Sequence, residues 1–224
     1  MAIPGHWQRW HRSYDEPGSA LARRLGVVRA RLAGALDQAA AGPIQLISMC
    51  AGQGRDVIGV LESHRRRADV SATLVELDPM LAQEARESAR RVGLATIEII
   101  EADAADTSVY ARAVPASVIL VCGVFGNIIA ADIRATIAEL PHLCAPSATV
   151  IWTRHRRPPD LTPAIRRWFL EERFAELSFD TEPDVSFGVG TARFMGQPQP
   201  LRPGRTLFRF VGGGDESWPE EPGP

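Results

Sequence analysis

The run Gln45-Leu46-Ile47-Ser48-Met49-Cys50-Ala51-Gly52-Gln53-Gly54-Arg55-Asp56 constrains the fold more than any other part of the chain. An apolar stretch meets a turn with glycine at 52 and 54, and a helix can open directly after it. Glycines let such a turn pass close to a ligand, because they carry no Cβ and tolerate positive φ. A second apolar run, Thr73-Leu74-Val75-Glu76-Leu77, carries an acid at its end. Glu76 falls about 20 residues past the turn, the distance at which such an acid meets a ribose diol. The pattern points to a nucleoside-containing ligand.

The rest of the chain supplies the elements of a layered α/β sheet. Ser19 caps a helix that reaches Leu36, with Leu21, Leu25, Val28, Leu32 and Leu36 on one stripe, and Ala41-Gly42-Pro43 ends it. Strands are expected at Ile44–Ser48, Ala72–Glu76, Thr96–Glu101, Ser117–Cys122 and Ala148–Thr153. Helices intervene. One spans Gly54 to Ser63. The next is capped by Asp78, has Pro79 in its first turn and stops at Gly93. Another is capped by Asp132 and stopped by Pro141, and a fourth runs from Thr162-Pro163 to Glu172. Ala175–Asp180 and Thr206–Val211 are strand-like with no helix between them, which predicts a parallel run closed by an antiparallel pair. The stretch Val185–Phe194 reads as a short strand or a loop near the ligand face. Three units are expected: an N-terminal lid and helical extension over 1–40, a ligand-binding domain over 41–211, and a disordered tail over 212–224, where Gly, Pro and acids dominate.

Taken together, these residues resemble a class I S-adenosylmethionine-dependent methyltransferase over residues 40–211. The resemblance implies a Rossmann-like, doubly wound, mostly parallel seven-stranded sheet and S-adenosyl-L-methionine as cofactor. The family's first motif, acid-x-Gly-x-Gly-x-Gly, falls on Ser48 through Gly54. Ser48 stands where the family has its acid and Cys50 where it has its first glycine. The resemblance implies that Ser48, Cys50, Ala51, Gly52 and Gly54 line the cofactor, with Asp56 or a turn carbonyl compensating for the missing acid. Glu76, followed by Leu77, matches the acid on the ribose hydroxyls, whereas Asp78 belongs to the helix cap. Asp103 would accept the adenine amine and the Ala104 N–H would meet a ring nitrogen. Cys122 and Gly123 would lie at the methyl group, with Asn127 orienting the acceptor and Phe125 beside it. A dinucleotide cofactor fits less well, because Val57 occupies the third glycine position of that fingerprint.

Acceptor chemistry belongs at the carboxyl ends of the strands. The run Trp152-Thr153-Arg154-His155-Arg156-Arg157 follows the fifth strand. Arg154 suits a carboxylate or phosphate on the acceptor, and His155 suits a base or orienting group. Trp7, Trp10, His11, Tyr14 and Asp15 could form a lid, with Tyr14 contributing a hydroxyl and Asp15 a carboxylate, whereas Trp7 and Trp10 read better as a hydrophobic anchor that packs the first helix on the core. The run His64-Arg65-Arg66-Arg67 reads as a solvated loop away from the ligand. The chain has no lysine, which excludes a Schiff-base lysine and a phosphate-loop lysine. Scattered His, Asp and Glu lack metal spacing, and three unpaired-looking cysteines fit a reducing compartment. A net charge of −2 argues against a general nucleic-acid binder. The start lacks the apolar core of a signal peptide and no run reads as a membrane span, so a cytoplasmic enzyme is expected; the slightly acidic charge and the lack of an obvious appended recognition domain favour a small-molecule acceptor. The alternatives are a methyltransferase acting on RNA or protein through the Arg154–Arg157 patch, and a non-catalytic cofactor-binding protein.

Overall fold

In the computed structural model, the described residues are Tyr14, Glu16, 18–182 and 185–211. Trp7, Trp10, His11, Asp15 and the tail over 212–224 lie outside them. Helices and strands alternate as α1 (Ala20–Gln38), β1 (Ile44–Met49), α2 (Arg55–Leu61), β2 (Val70–Glu76), α3 (Pro79–Arg91), β3 (Ile97–Glu101), β4 (Ala116–Val121), α4 (Ala130–Glu139), β5 (Cys144–His155), α5 (Thr162–Glu171), β6 (Phe174–Asp180) and β7 (Phe187–Phe194). The seven strands form one sheet in the order β3-β2-β1-β4-β5-β7-β6. β3 through β5 run parallel, and β7 runs antiparallel to both β5 and β6. The sheet order reverses beside β1, between β1 and β4, the point at which open α/β sheets take their ligands in a crevice at the carboxyl ends of the strands.

Side-chain alternation along β1 divides the core into two layers. Ile44 and Leu46 face a cluster that takes in Val28, Leu32 and Leu36 of α1, Val57 and Leu61 of α2, and Ala85 and Ala89 of α3. Ile47 and Met49 face the opposite layer, with Ile133 and Ile137 of α4 and Ile165 and Phe169 of α5. Helix α1 is therefore seated on the sheet through the second half of its apolar stripe. Its start is capped as expected: the Ser19 hydroxyl accepts from Ala22 N at 3.1 Å.

Three expectations need correction. The last sheet strand is Phe187–Phe194, not Thr206–Val211. Gly188 and Gly190 made this segment look loop-like, yet they are what lets it occupy the sheet. Trp152 of β5 and Phe179 of β6 are both in register with Gly190. A Cβ at 190 would fall inside the Trp152 indole, and one at 188 would meet the Phe179 ring. Glycine in this strand makes room for its neighbours' aromatic rings. Thr206–Val211 instead crosses the carboxyl edge of the sheet. Leu207 N donates to Ala105 O at 2.8 Å and Val211 N to Asn127 O at 3.0 Å, with single bridges Asp106–Thr206 and Ile128–Phe210. This segment ties the loop after β3 to the loop after β4.

The second correction concerns Asp132. Helix α4 begins at Ala130 with Ile129 in the cap position, and the Asp132 carboxylate accepts from Arg209 N at 2.9 Å. The third concerns Arg66, which is not a solvated loop residue. Its guanidinium donates to the carbonyls of Leu36, Ala39, Ala40 and Gly42 at 2.7–3.1 Å. Those carbonyls include ones that the end of α1 leaves without helical partners. Among the described residues, no helix is long and apolar enough to cross a membrane, and no group of His, Cys, Asp and Glu is arranged to hold a metal ion.

Candidate active site

The crevice beside β1 is built from a left-handed turn. Cys50, Gly52 and Gly54 have φ of 51°, 56° and 67°. Gly54 precedes α2, and a Cβ there would lie 2.8 Å from Ile58 Cδ1 and 2.9 Å from Leu74 Cδ2. Cys50 adopts the backbone that a glycine at its position would favour, at a cost of roughly 1–2 kcal/mol for an L-residue. Ser48 is buried within β1, in register with Leu74 and Leu120. Ala51 N donates to Val75 O at 3.0 Å, which anchors the turn to the end of β2.

Glu76 closes that anchor with a charge. Its carboxylate is 9% exposed and accepts from Gly52 N at 2.7 Å and from Asp78 N at 2.9 Å. Burial raises its pKa, while the two backbone donors pull the other way. Two carboxylate oxygens offer about four lone-pair sites, so a diol can be accepted in addition to these N–H groups. Asp78 is the helix cap: its Oδ1 accepts from Met80 N at 2.8 Å and Leu81 N at 3.2 Å. Leu77 and Met80 follow directly and are 66% and 58% exposed, which leaves apolar surface at the end of β2. After β3, the exposed Asp103 accepts from Ala105 N at 2.9 Å, and Ala104 is buried with its carbonyl bound by the Tyr110 hydroxyl at 2.6 Å.

The loop after β4 is held from β5. Gly123, with φ of 78°, donates its N–H to Thr153 Oγ1 at 3.0 Å, and Cys122 is half-buried beside it. Asn127 donates through Nδ2 to Gly123 O at 2.6 Å, so its amide closes this loop. Arg154 is 7% exposed and donates through Nη1 to Phe125 O, while its Nε is buried without a partner among the described residues. His155 lies against Gly126, 3.5 Å from where a Cβ would stand. Burial lowers the His155 pKa, the charges of Arg154 and Arg157 lower it further, and Asp160 opposes them. The imidazole is therefore neutral at pH 7. Phe125 does not line the crevice: it is fully buried, 6.1 Å from the Trp152 ring and 6.5 Å from Phe169. An apolar ring following a strand is pulled into the nearest aromatic cluster, which corrects its expected place beside the acceptor.

Tyr14 reaches the same crevice. Its hydroxyl bonds to Arg24 Nη2 at 2.6 Å, and the Arg24 and Arg55 guanidinium groups stand 6.0 and 5.7 Å from its ring. Burial raises its pKa, so the phenol is no ready base at neutral pH. Arg24 escaped sequence reading, and Thr153, though within the run after the fifth strand, was given no role; both act through contacts made across the fold.

No protein-family model matches the sequence, and no curated protein matches it. Solved structures match the fold at low identity. An O-methyltransferase family protein from Burkholderia thailandensis aligns with a TM-score of 0.62 and 16% identity over 80% of this chain. The match spans 57% of that longer chain. Magnesium protoporphyrin IX methyltransferase from Synechocystis PCC 6803, solved with bound SAM, aligns with a TM-score of 0.65 and 12% identity over 85% of this chain and 92% of its own. An rRNA methylase from Streptococcus thermophilus aligns with a TM-score of 0.55 and 8% identity over 74% of this chain and 95% of its own.

The fold is that of the class I methyltransferases. Within this methyltransferase fold, Gly52, Gly54, Glu76, Asp103, Cys122, Gly123 and His155 all sit at the carboxyl ends of β1 to β5 or in the loops that follow, and Tyr14 and Arg24 approach from the N-terminal side.

Proposed function

We propose that this chain transfers a methyl group from S-adenosylmethionine to a small-molecule acceptor. The observation that carries the reading is Glu76: a buried carboxylate at the end of β2, bound to the N–H of a left-handed glycine turn beside the sheet's reversal point. Two backbone N–H groups support this carboxylate and no ion pair does among the described residues, so a ligand that donates further hydrogen bonds adds to its stabilisation. A ribose diol is such a ligand, and the turn leaves backbone free to approach it. Asp103 is exposed and keeps acceptor capacity for the adenine amine. Leu77 and Met80 supply apolar surface for a ring system. The residues present therefore fit the cofactor.

Bound there, S-adenosylmethionine supplies a methyl group on a positively charged sulfur. The chain's own residues position and deprotonate the acceptor. Gly123 keeps the loop after β4 free of side-chain bulk at the methyl, and Asn127 and Thr153 hold that loop in shape. Neutral His155 takes a proton from the acceptor's nucleophilic atom. Arg154, with a buried Nε that has no partner among the described residues, favours an acceptor bearing a carboxylate or phosphate. Tyr14 approaches the site from the N-terminal side.

Calorimetric titration with S-adenosylmethionine and S-adenosylhomocysteine tests the reading. Micromolar binding is expected, weakened about tenfold or more in Glu76→Ala, which loses hydrogen bonds to a charged group. Absence of binding to either compound by the wild-type protein would overturn it.

A further inference from the structure

The missing acid at Ser48 poses a question about charge. If S-adenosylmethionine is the cofactor, its amino-acid end brings an ammonium and a carboxylate into the crevice between β1 and β4. A zwitterion taken out of water needs a partner for each charge. Ser48 supplies no charge and is buried within β1.

Two other residues at this crevice carry the required signs. Asp56 lies in the first turn of α2, two residues beyond Gly54. Its Oδ1 accepts from Val57 N at 2.7 Å, and it forms no ion pair among the described residues. Arg29, its strongest cationic neighbour, is committed elsewhere: both Nε and Nη2 donate to Arg55 O at 3.0 and 2.6 Å. Arg24 is held in place by the Tyr14 hydroxyl and ring. Arg55, the residue before Asp56, stands 5.7 Å from the Tyr14 ring, and Arg24 bonds the Tyr14 hydroxyl at 2.6 Å, which brings Arg24 to the first turn of α2.

We infer that Asp56 and Arg24 hold the amino-acid end of the cofactor, Asp56 on the α-ammonium and Arg24 on the α-carboxylate. This inference rests on the cofactor reading above. The acid has moved from the end of β1 to the start of α2, and Tyr14 serves as the positioning residue for Arg24. An ammonium at Asp56 also gives a charged partner to a half-buried carboxylate that, among the described residues, is bonded only by local backbone. Burial raises the Asp56 pKa, and a cation beside it restores the ionised form.

The test compares two ligands that differ only at this end. S-adenosylhomocysteine carries the amino acid; 5′-methylthioadenosine carries the nucleoside and sulfur without it. Wild-type protein, Asp56→Asn and Arg24→Gln are titrated with both, with circular dichroism confirming the fold. Each substitution should weaken S-adenosylhomocysteine about tenfold to a hundredfold and leave 5′-methylthioadenosine roughly unchanged. Arg24→Lys keeps the charge and should retain more affinity than Arg24→Gln. Equal losses for both ligands, or no loss for either, would overturn the assignment. Wild-type protein that binds neither compound would instead remove the cofactor reading beneath it.

Discussion

Gly190→Ala places one methyl group where the fold leaves none. In β7, Gly190 is flanked by Trp152 and Phe179, and its φ is not positive, so alanine meets no backbone obstacle there. The obstacle is the Trp152 indole. That ring is 2% exposed and hemmed in, 5.8 Å from Phe169, 5.8 Å from Phe179 and 6.1 Å from Phe125. It has no free side to move toward. Overpacking a close-packed core costs about 1–3 kcal/mol, and this site belongs near the top of that range. Alanine returns about 0.4–1 kcal/mol by restricting the unfolded chain. The net loss is about 2 kcal/mol, or roughly 4–8 °C in Tm for a chain of this size. Thermal and urea unfolding measure it, with near-ultraviolet dichroism reporting on Trp152. Adding Trp152→Phe should recover part of the loss, giving a double-mutant coupling. The rival topology, in which Val185–Phe194 is a surface loop, predicts the opposite sign, because Gly→Ala in a loop is neutral or stabilising. An unchanged or raised Tm would refute the strand assignment and the reasoning from glycine to ring.

Arg66→Met should cost about 2–3 kcal/mol, since four carbonyls at the end of α1 lose a charged donor; chemical denaturation measures this, and cofactor affinity should not change. His155→Gln should lower turnover while leaving the cofactor Kd in place, as single-turnover kinetics and titration would separate. In wild-type protein, turnover should fall on acidification only below the ordinary histidine pKa, because burial, Arg154 and Arg157 all disfavour the imidazolium. Arg157→Ala should move that acid limb upward, and an acid limb above pH 6.5 would contradict a base in this setting.

Local chemistry made much of this fold legible. Asp78 followed by Pro79 announces a helix start whatever the rest of the chain does, and the cap forms as read. Gly54 and Glu76 mark the turn and the strand end because each answers to a backbone need or a charge that few residue types meet. β7 was legible only as a short strand or a loop, for the opposite reason. Gly188 and Gly190 make sense only beside Trp152 and Phe179, residues far off in sequence, and alternation favoured Thr206–Val211 instead. Phe125, Asp132 and Arg66 were misplaced in the same way. Each has a reasonable local role, and in each case a partner distant in the chain takes it: the Trp152 cluster, the Arg209 amide and the end of α1.

The departures at 48 and 50 bear differently on function. Read along the chain, both look like damage to a glycine motif, and they favour a protein that has lost its cofactor. In the fold they separate. What the first glycine provides is a backbone angle, and Cys50 provides it too, at φ of 51°, so the turn survives the substitution with strain of roughly 1–2 kcal/mol. A chain with no use for the turn would gain stability by relaxing it. What the acid provides is a charge, and no backbone adjustment at Ser48 can replace that. It has to come from another side chain, and Asp56 is a half-buried carboxylate at the start of α2 without an ion-pair partner among the described residues. Retained strain at one position and an unpaired acid near the other both argue for a ligand site still under use, and against a chain that has lost its cofactor.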